Sequence, residues 1–171
     1  MLTVQAFAKG LLSAFGHSPT LAVRGLAGEV EFDADAADTA SLNLTVSADS
    51  LAVIDNISEA DRREIERKTR EEVLESARYP EIVFQPLQVL AQRTGEGQFH
   101  VRLNGHLSMH GVTRTQSIEA GVALTQNCLR AQGKTQLRQS DYRIEPVTAL
   151  GGAIKLKDEL ELTFDIIACS P

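Results

Sequence analysis

The chain has 171 residues, 43% of them hydrophobic and 23% charged, a length that suits one globular domain better than two. Its 17 Lys and Arg against 23 Asp and Glu give a formal charge of −6, which repels phosphate backbones and argues against a nucleic-acid partner. No apolar run approaches the roughly 18 residues that cross a bilayer, and the N-terminus shows no basic segment followed by an apolar stretch and a cleavage site.

Residues 2–8 read as a first strand. Leu21 and Val23 belong to a short second one; Gly25 and Gly28 then mark a bulge or a barrel corner before Val30 and Phe32. Leu42, Leu44 and Val46 alternate with Asn43, Thr45 and Ser47, so one face is oily and the other wet. From Ser58 to Ala77 the pattern changes to a charged stretch without Gly or Pro. Ser58, three residues before Asp61, resembles a capping box, and the spacing predicts a surface helix over about residues 58–77. Its sparse apolar stripe is Ile57, Ile65, Val73, Leu74 and Ala77.

Tyr79-Pro80 ends the helix and leads into a strand over 82–90 that holds Ile82 and Phe84. After the turn Thr94-Gly95-Glu96-Gly97, alternation runs from Phe99 through Val101, Leu103, Gly105 and Leu107 to Met109. A second turn over 110–114 precedes Ile118, Ala120, Val122 and Leu124; Leu129, Ala131, Gly133, Thr135 and Leu137 follow in a further strand. The Gly151-Gly152 pair lies in the longest irregular stretch after the helix, before Leu160, Leu162, Phe164 and Ile166.

These segments predict an all-β, antiparallel sheet of about eight strands with one helix, and closing it into a barrel hides the oily face and removes the edges. A two-sheet sandwich shows the same alternation and stays open as an alternative.

Chemistry is sparse. His106 and His110, on one strand, would stand about 13 Å apart at roughly 3.3 Å per residue, too far to share a zinc ion. They and His100 fall on the polar phase, so solvent-facing or turn histidines are expected and no metal site. No Gly-x-Ser-x-Gly elbow, phosphate loop, dinucleotide fingerprint or Cys-x-x-Cys occurs, and carboxylates cluster at 59–75 and 158–165 as solvated charge. No catalytic residue and no cofactor is expected. The inward phase mixes large residues (Phe32, Phe84, Phe99, Phe164) with small ones (Gly105, Ala120, Ala131, Gly133), which either leaves room for a ligand or fits the barrel's taper.

The run Asn104-Gly105-His106-Leu107-Ser108-Met109-His110-Gly111-Val112-Thr113-Arg114 resembles the "G-x-L-t-x-H-G-V-T" hairpin of the YceI-like proteins, a lipocalin-like family associated with polyisoprenoid binding. Phe32-Asp33, the stretch from Ala77 to Phe84, Ser140-Asp141-Tyr142-Arg143-Ile144 and Asp158-Glu159-Leu160-Glu161-Leu162 follow in the family's order, so the resemblance covers almost the whole chain as a single domain. It implies an eight-stranded antiparallel lipocalin-like barrel with a helix near one mouth, around a hydrophobic tunnel. The expected ligand is a long polyisoprenoid, an isoprenoid quinone-like lipid or another amphiphile, bound for sequestration or transport.

By strand phase, the expected tunnel wall is Val23, Phe32, Leu44, Phe84, Val101, Leu103, Ile118, Val122, Ala131, Gly133, Leu162 and Phe164. One alternative is an enzyme for a small hydrophobic substrate that uses Tyr142 or His17 as acid or base; another is a filled barrel acting as an interaction module. A homodimer is a further possibility. Antiparallel order sets the start of the strand at Cys128 against the end of the strand at Cys169, on the outer face. Without a recognisable leader the expected location is cytoplasmic, with both thiols free, or periplasmic where a leader has been removed.

Overall fold

The strands follow the alternation closely. In the computed structural model, which describes residues 1–9, 18–149 and 154–170, they are β1 (Leu2–Lys9), β2 (Thr20–Val23), β3 (Leu26–Glu31), β4 (Ser41–Ser47) and β5 (Leu51–Val53). After the helix α1 (Glu59–Lys68) come β6 (Glu81–Gly95), β7 (Gln98–Met109), β8 (Val112–Leu124), β9 (Cys128–Arg138), β10 (Thr148–Ala149) and β11 (Ile154–Cys169). His17 and the Gly151-Gly152 pair lie outside the described residues.

All pairings are antiparallel, in the order β3-β4-β6-β7-β8-β9-β11-β1-β2-β5, with β10 against β11. The two ends of that order are joined by the chain itself: β3 continues β2 through Arg24-Gly25, and β5 continues β4 through Ala48–Ser50. Backbone bonds carry the pairing across this corner, from Arg24 N–H to the Ser50 carbonyl (3.1 Å) and from Ser47 N–H to the Gly25 carbonyl (2.8 Å). A Cβ at Gly25 would lie 2.9 Å from the Cβ atoms of both Ser47 and Ser50, so the corner needs a glycine. Ten strands on the path less two continuations leave eight, and the result is an all-β, curled, lipocalin-like sheet.

Two local departures matter for the interior. A bulge between Pro86 and Gln88 resets the phase of β6: Phe84 and Val89 are both buried, while Leu87 is expelled to 69% exposure. The pairing of β8 with β9 is short, from Gly121↔Gln132 to Leu124↔Leu129, whereas β7 and β8 pair from Gln98↔Ala123 to Met109↔Val112.

The helix is shorter than the expected run to Ala77. Ser58 caps it as predicted, its Oγ accepting the Asp61 N–H at 3.1 Å. After Lys68 the chain widens into a π-helical turn, Thr69–Val73, in which Leu74 N–H reaches the Thr69 carbonyl at 2.9 Å. Glu75 then takes a left-handed conformation (φ 45°), which turns Leu74 into the core and leaves Ala77 exposed.

α1 covers the free edge of β5 with side chains in place of a strand. Glu66 Oε1 accepts the Val53 N–H at 2.9 Å, while Arg62 donates to the carbonyls of Val53 and Asp55.

Candidate functional site

Two apolar cavities lie inside the curled sheet. One, of about 430 Å³, occupies the half away from the helix, and the other, of about 360 Å³, lies beneath α1 and the π-turn. Leu2, Val46, Ile82, Leu107, Leu137 and Leu162 line both, so the cavities meet at a leucine-rich waist.

The sequence-derived wall maps onto these spaces with one exception. Phe32, Leu44, Phe84, Val101, Leu103, Ile118, Val122, Ala131, Leu162 and Phe164 line the larger cavity, and Val23 lines the smaller. Phe32 does so from just beyond the end of β3, with its ring edge-on to Phe99 at 5.1 Å. Gly133 is the exception. A Cβ there would meet Phe164 Cζ at 2.5 Å and the Glu119 carbonyl oxygen at 2.4 Å, so the Phe164 ring, not a ligand, covers this position.

Polar side chains line the cavities at few places. Glu64, Lys68, Thr69 and Gln139 do so in the helix-covered half, and Glu29, Ser41, Gln116 and Thr135 in the other. Phase placed Thr135 inward, but Gln116 was missed: the signal was a lone glutamine two residues before Ile118 on the phase shared by Ala120 and Val122.

His110 departs from the solvent-facing reading. It sits at a turn with φ 52°, and its side chain is only 11% exposed. Nδ1 lies 3.1 Å from the Tyr142 carbonyl oxygen, Nε2 3.2 Å from Glu75 Oε1, and the Tyr79 ring centroid stands 4.7 Å away. The turn histidine therefore ties the β7–β8 hairpin to the end of the π-turn. His100 and His106 are exposed, and among the described residues no three His, Cys, Asp or Glu gather as a metal site.

Tyr142, a candidate acid or base, is 1% exposed, and its hydroxyl has no hydrogen-bond partner among the described residues. Burial pushes its pKa up, the neighbouring Asp141 adds to this, and Arg114 opposes it. It packs with Leu74, Met109 and Ile144 in the core and lines neither cavity.

Cys128 and Cys169 face each other across β9 and β11, as the antiparallel order required. The expectation of free thiols is corrected: the two sulfurs form a disulfide at the rim of the larger cavity. Directly opposed residues on adjacent strands are close enough to bond, and sequence alone does not fix their oxidation state.

Among solved structures, BcnA from Burkholderia cenocepacia superposes with a TM-score of 0.73 at 17% identity, covering 98% of this chain and 96% of that one. A polyisoprenoid binding domain from Saccharophagus degradans, implicated in plant cell wall breakdown, gives 0.67 at 13% identity, covering 99% and 94%. The YCEI protein of Campylobacter jejuni gives 0.62 at 14% identity, covering 88% and 84%. At these identities the likeness is one of fold. No curated protein matches the chain in sequence. The YceI-like domain model matches residues 8–168, nearly the full length, and the chain belongs to the YceI-like domain family.

Proposed function

We propose that this protein binds a long hydrophobic or amphiphilic molecule, a polyisoprenoid or isoprenoid quinone-like lipid, and shields its tail from water for storage or transport. The observation that carries the reading is the pair of apolar cavities meeting at one waist, which suits an elongated ligand better than a compact one. Membership of the YceI-like family and the fold shared with a polyisoprenoid binding domain support it.

Each buried methylene contributes about 0.8 kcal/mol, so a ten-carbon tail gains about 8 kcal/mol before the cost of ordering it. Such binding needs no catalytic group. The Cys128–Cys169 disulfide supports an oxidising compartment, hence the periplasmic alternative, since a reducing one keeps thiols reduced.

Lipid extraction and mass spectrometry of freshly purified protein test the reading, with a co-purifying amphiphile as the expected result. Ala131→Leu places carbons in the larger cavity and should weaken uptake of long-chain probes while thermal stability changes little. Failure of the wild-type protein to take up any long-chain probe would overturn the proposal.

A further inference from the structure

Gln116 and Thr135 are polar side chains on the inward phase of their strands, in a wall that is otherwise mostly aliphatic. They meet beyond the end of the β8–β9 ladder. Beyond the short β8–β9 ladder, the Gln116 side chain spans the gap: Nε2 lies 3.3 Å from Thr135 Oγ1 and 3.1 Å from the Gln136 carbonyl oxygen. At the far end of this seam Arg114 Nε donates to the Asp141 carbonyl at 3.0 Å. A side-chain amide thus does what backbone pairing does elsewhere in the wall.

Proton counting shows what this arrangement leaves over. Gln116 Nε2 has three acceptors in reach; the Ser117 carbonyl lies farthest, at 3.5 Å, and the two nearer, Thr135 Oγ1 and the Gln136 carbonyl, take its two amide protons. Thr135 accepts one of them and keeps its own hydroxyl proton, which no acceptor among the described residues takes. Gln116 Oε1 likewise has no donor among the described residues. One donor and one acceptor therefore remain side by side on an apolar cavity. No Lys or Arg among the described residues lines that cavity, so a charged phosphate or carboxylate would be buried there without a counterion.

We propose that Gln116 and Thr135 form the binding point for an uncharged oxygen of the tunnel's ligand. The ligand is then a long hydrocarbon with a carbonyl, hydroxyl or ether oxygen held at the β8–β9 seam. This rests on the tunnel reading above and narrows its ligand class. The Thr135 hydroxyl donates to the ligand oxygen, and a ligand hydroxyl returns its proton to Gln116 Oε1.

The test uses two probes of matched length, the alcohol farnesol and the hydrocarbon farnesene, each displacing N-phenyl-1-naphthylamine from the intact protein. Thr135→Val, which keeps the side-chain shape, and Gln116→Leu should each weaken farnesol about five- to tenfold relative to farnesene, as for one lost hydrogen bond. Farnesene should stay within about twofold of its wild-type affinity. Equal losses for both probes would make the pair structural, and no loss would make it idle; either result overturns the proposal while leaving the tunnel intact. A wild-type protein that binds neither probe overturns the tunnel reading and this one with it. Thr135→Val keeps the question answerable if Gln116→Leu opens the seam and unfolds.

Discussion

The two cavities are both largely apolar but closed differently. Beneath the helix, closure is polar and local: Arg62 and Glu66 reach the β5 edge, and His110 links Glu75 to the Tyr142 carbonyl. In the far half, closure is covalent and aromatic. The Cys128–Cys169 bond fastens the rim, the Phe32 ring packs on Phe99, and the connection after β3 is held by Asp38 on the Ala91 N–H and by Arg93 on the Ala34 carbonyl. The lining therefore says little about which end yields to a ligand; the fastenings decide that.

The largest difference between the halves should appear when the covalent fastening is cut. The disulfide spans 41 positions, for which the chain-entropy argument gives at most about 4 kcal/mol. Cys128→Ser with Cys169→Ser, or reduction of the wild type, should lower stability by about 2–4 kcal/mol in denaturant melts; equal stability of the oxidised and reduced forms would contradict the assignment. Next comes the Gly133 contact. Gly133→Ala should cost about 1–3 kcal/mol, because the new methyl collides with Phe164 and a backbone oxygen. Gly121→Ala is the control on the neighbouring strand, where a Cβ would lie 3.9 Å from the Gln132 carbonyl oxygen, and it should be harmless.

In the helix-covered half, Glu66→Ala or Arg62→Ala should cost about 1–2 kcal/mol by leaving the Val53 N–H or carbonyl of β5 unpaired. Faster hydrogen exchange at the Val53 amide in Glu66→Ala would report the loss directly, and unchanged exchange would count against the edge-covering role. Tyr142→Phe removes a buried hydroxyl without a partner among the described residues and should be neutral or stabilise by up to about 1 kcal/mol. A large loss of stability would show that the hydroxyl does have a partner.

The smallest effect is electrostatic. Arg130 binds Asp165 with two hydrogen bonds (2.8 and 2.5 Å) and holds its pKa down to about 2. A carboxyl whose folded pKa is depressed contributes stability that is complete above its unfolded value and lost as pH falls towards 2. Asp165→Asn should therefore lower stability slightly at neutral pH and leave it nearly unchanged near pH 2, so that the profile flattens between about pH 4 and 2.

Where side chains alternate, the fold was legible: Val101, Ile118 and Leu162 face the tunnel because a strand's period leaves no other choice. Gly133 shares that phase, but a glycine cannot announce what fills its space, and Phe164 comes from another strand. His110 sits in the turn that the sequence marks at 110–114, but its burial escaped because a residue at positive φ leaves the strand's alternation. The register of the two cysteines was legible from antiparallel order, whereas their oxidation depends on redox surroundings that the sequence does not encode. Gln116 could have been noticed as the polar member of an inward series, but its role depends on the short β8–β9 ladder, a property of backbone pairing rather than of pattern.

The waist of the tunnel includes Leu2, and in the sheet Leu2 stands opposite Phe164, 162 positions along the chain. Completing the interior therefore requires contacts between distant segments, which carry the cost of a long loop closure. A chain that has laid down β6, β7 and β8 but not yet docked β11 on β1 exposes its oily inner face as an open sheet, the form most prone to aggregation. A ligand that enters before this docking meets an open sheet, and one that enters afterwards meets the enclosed cavities.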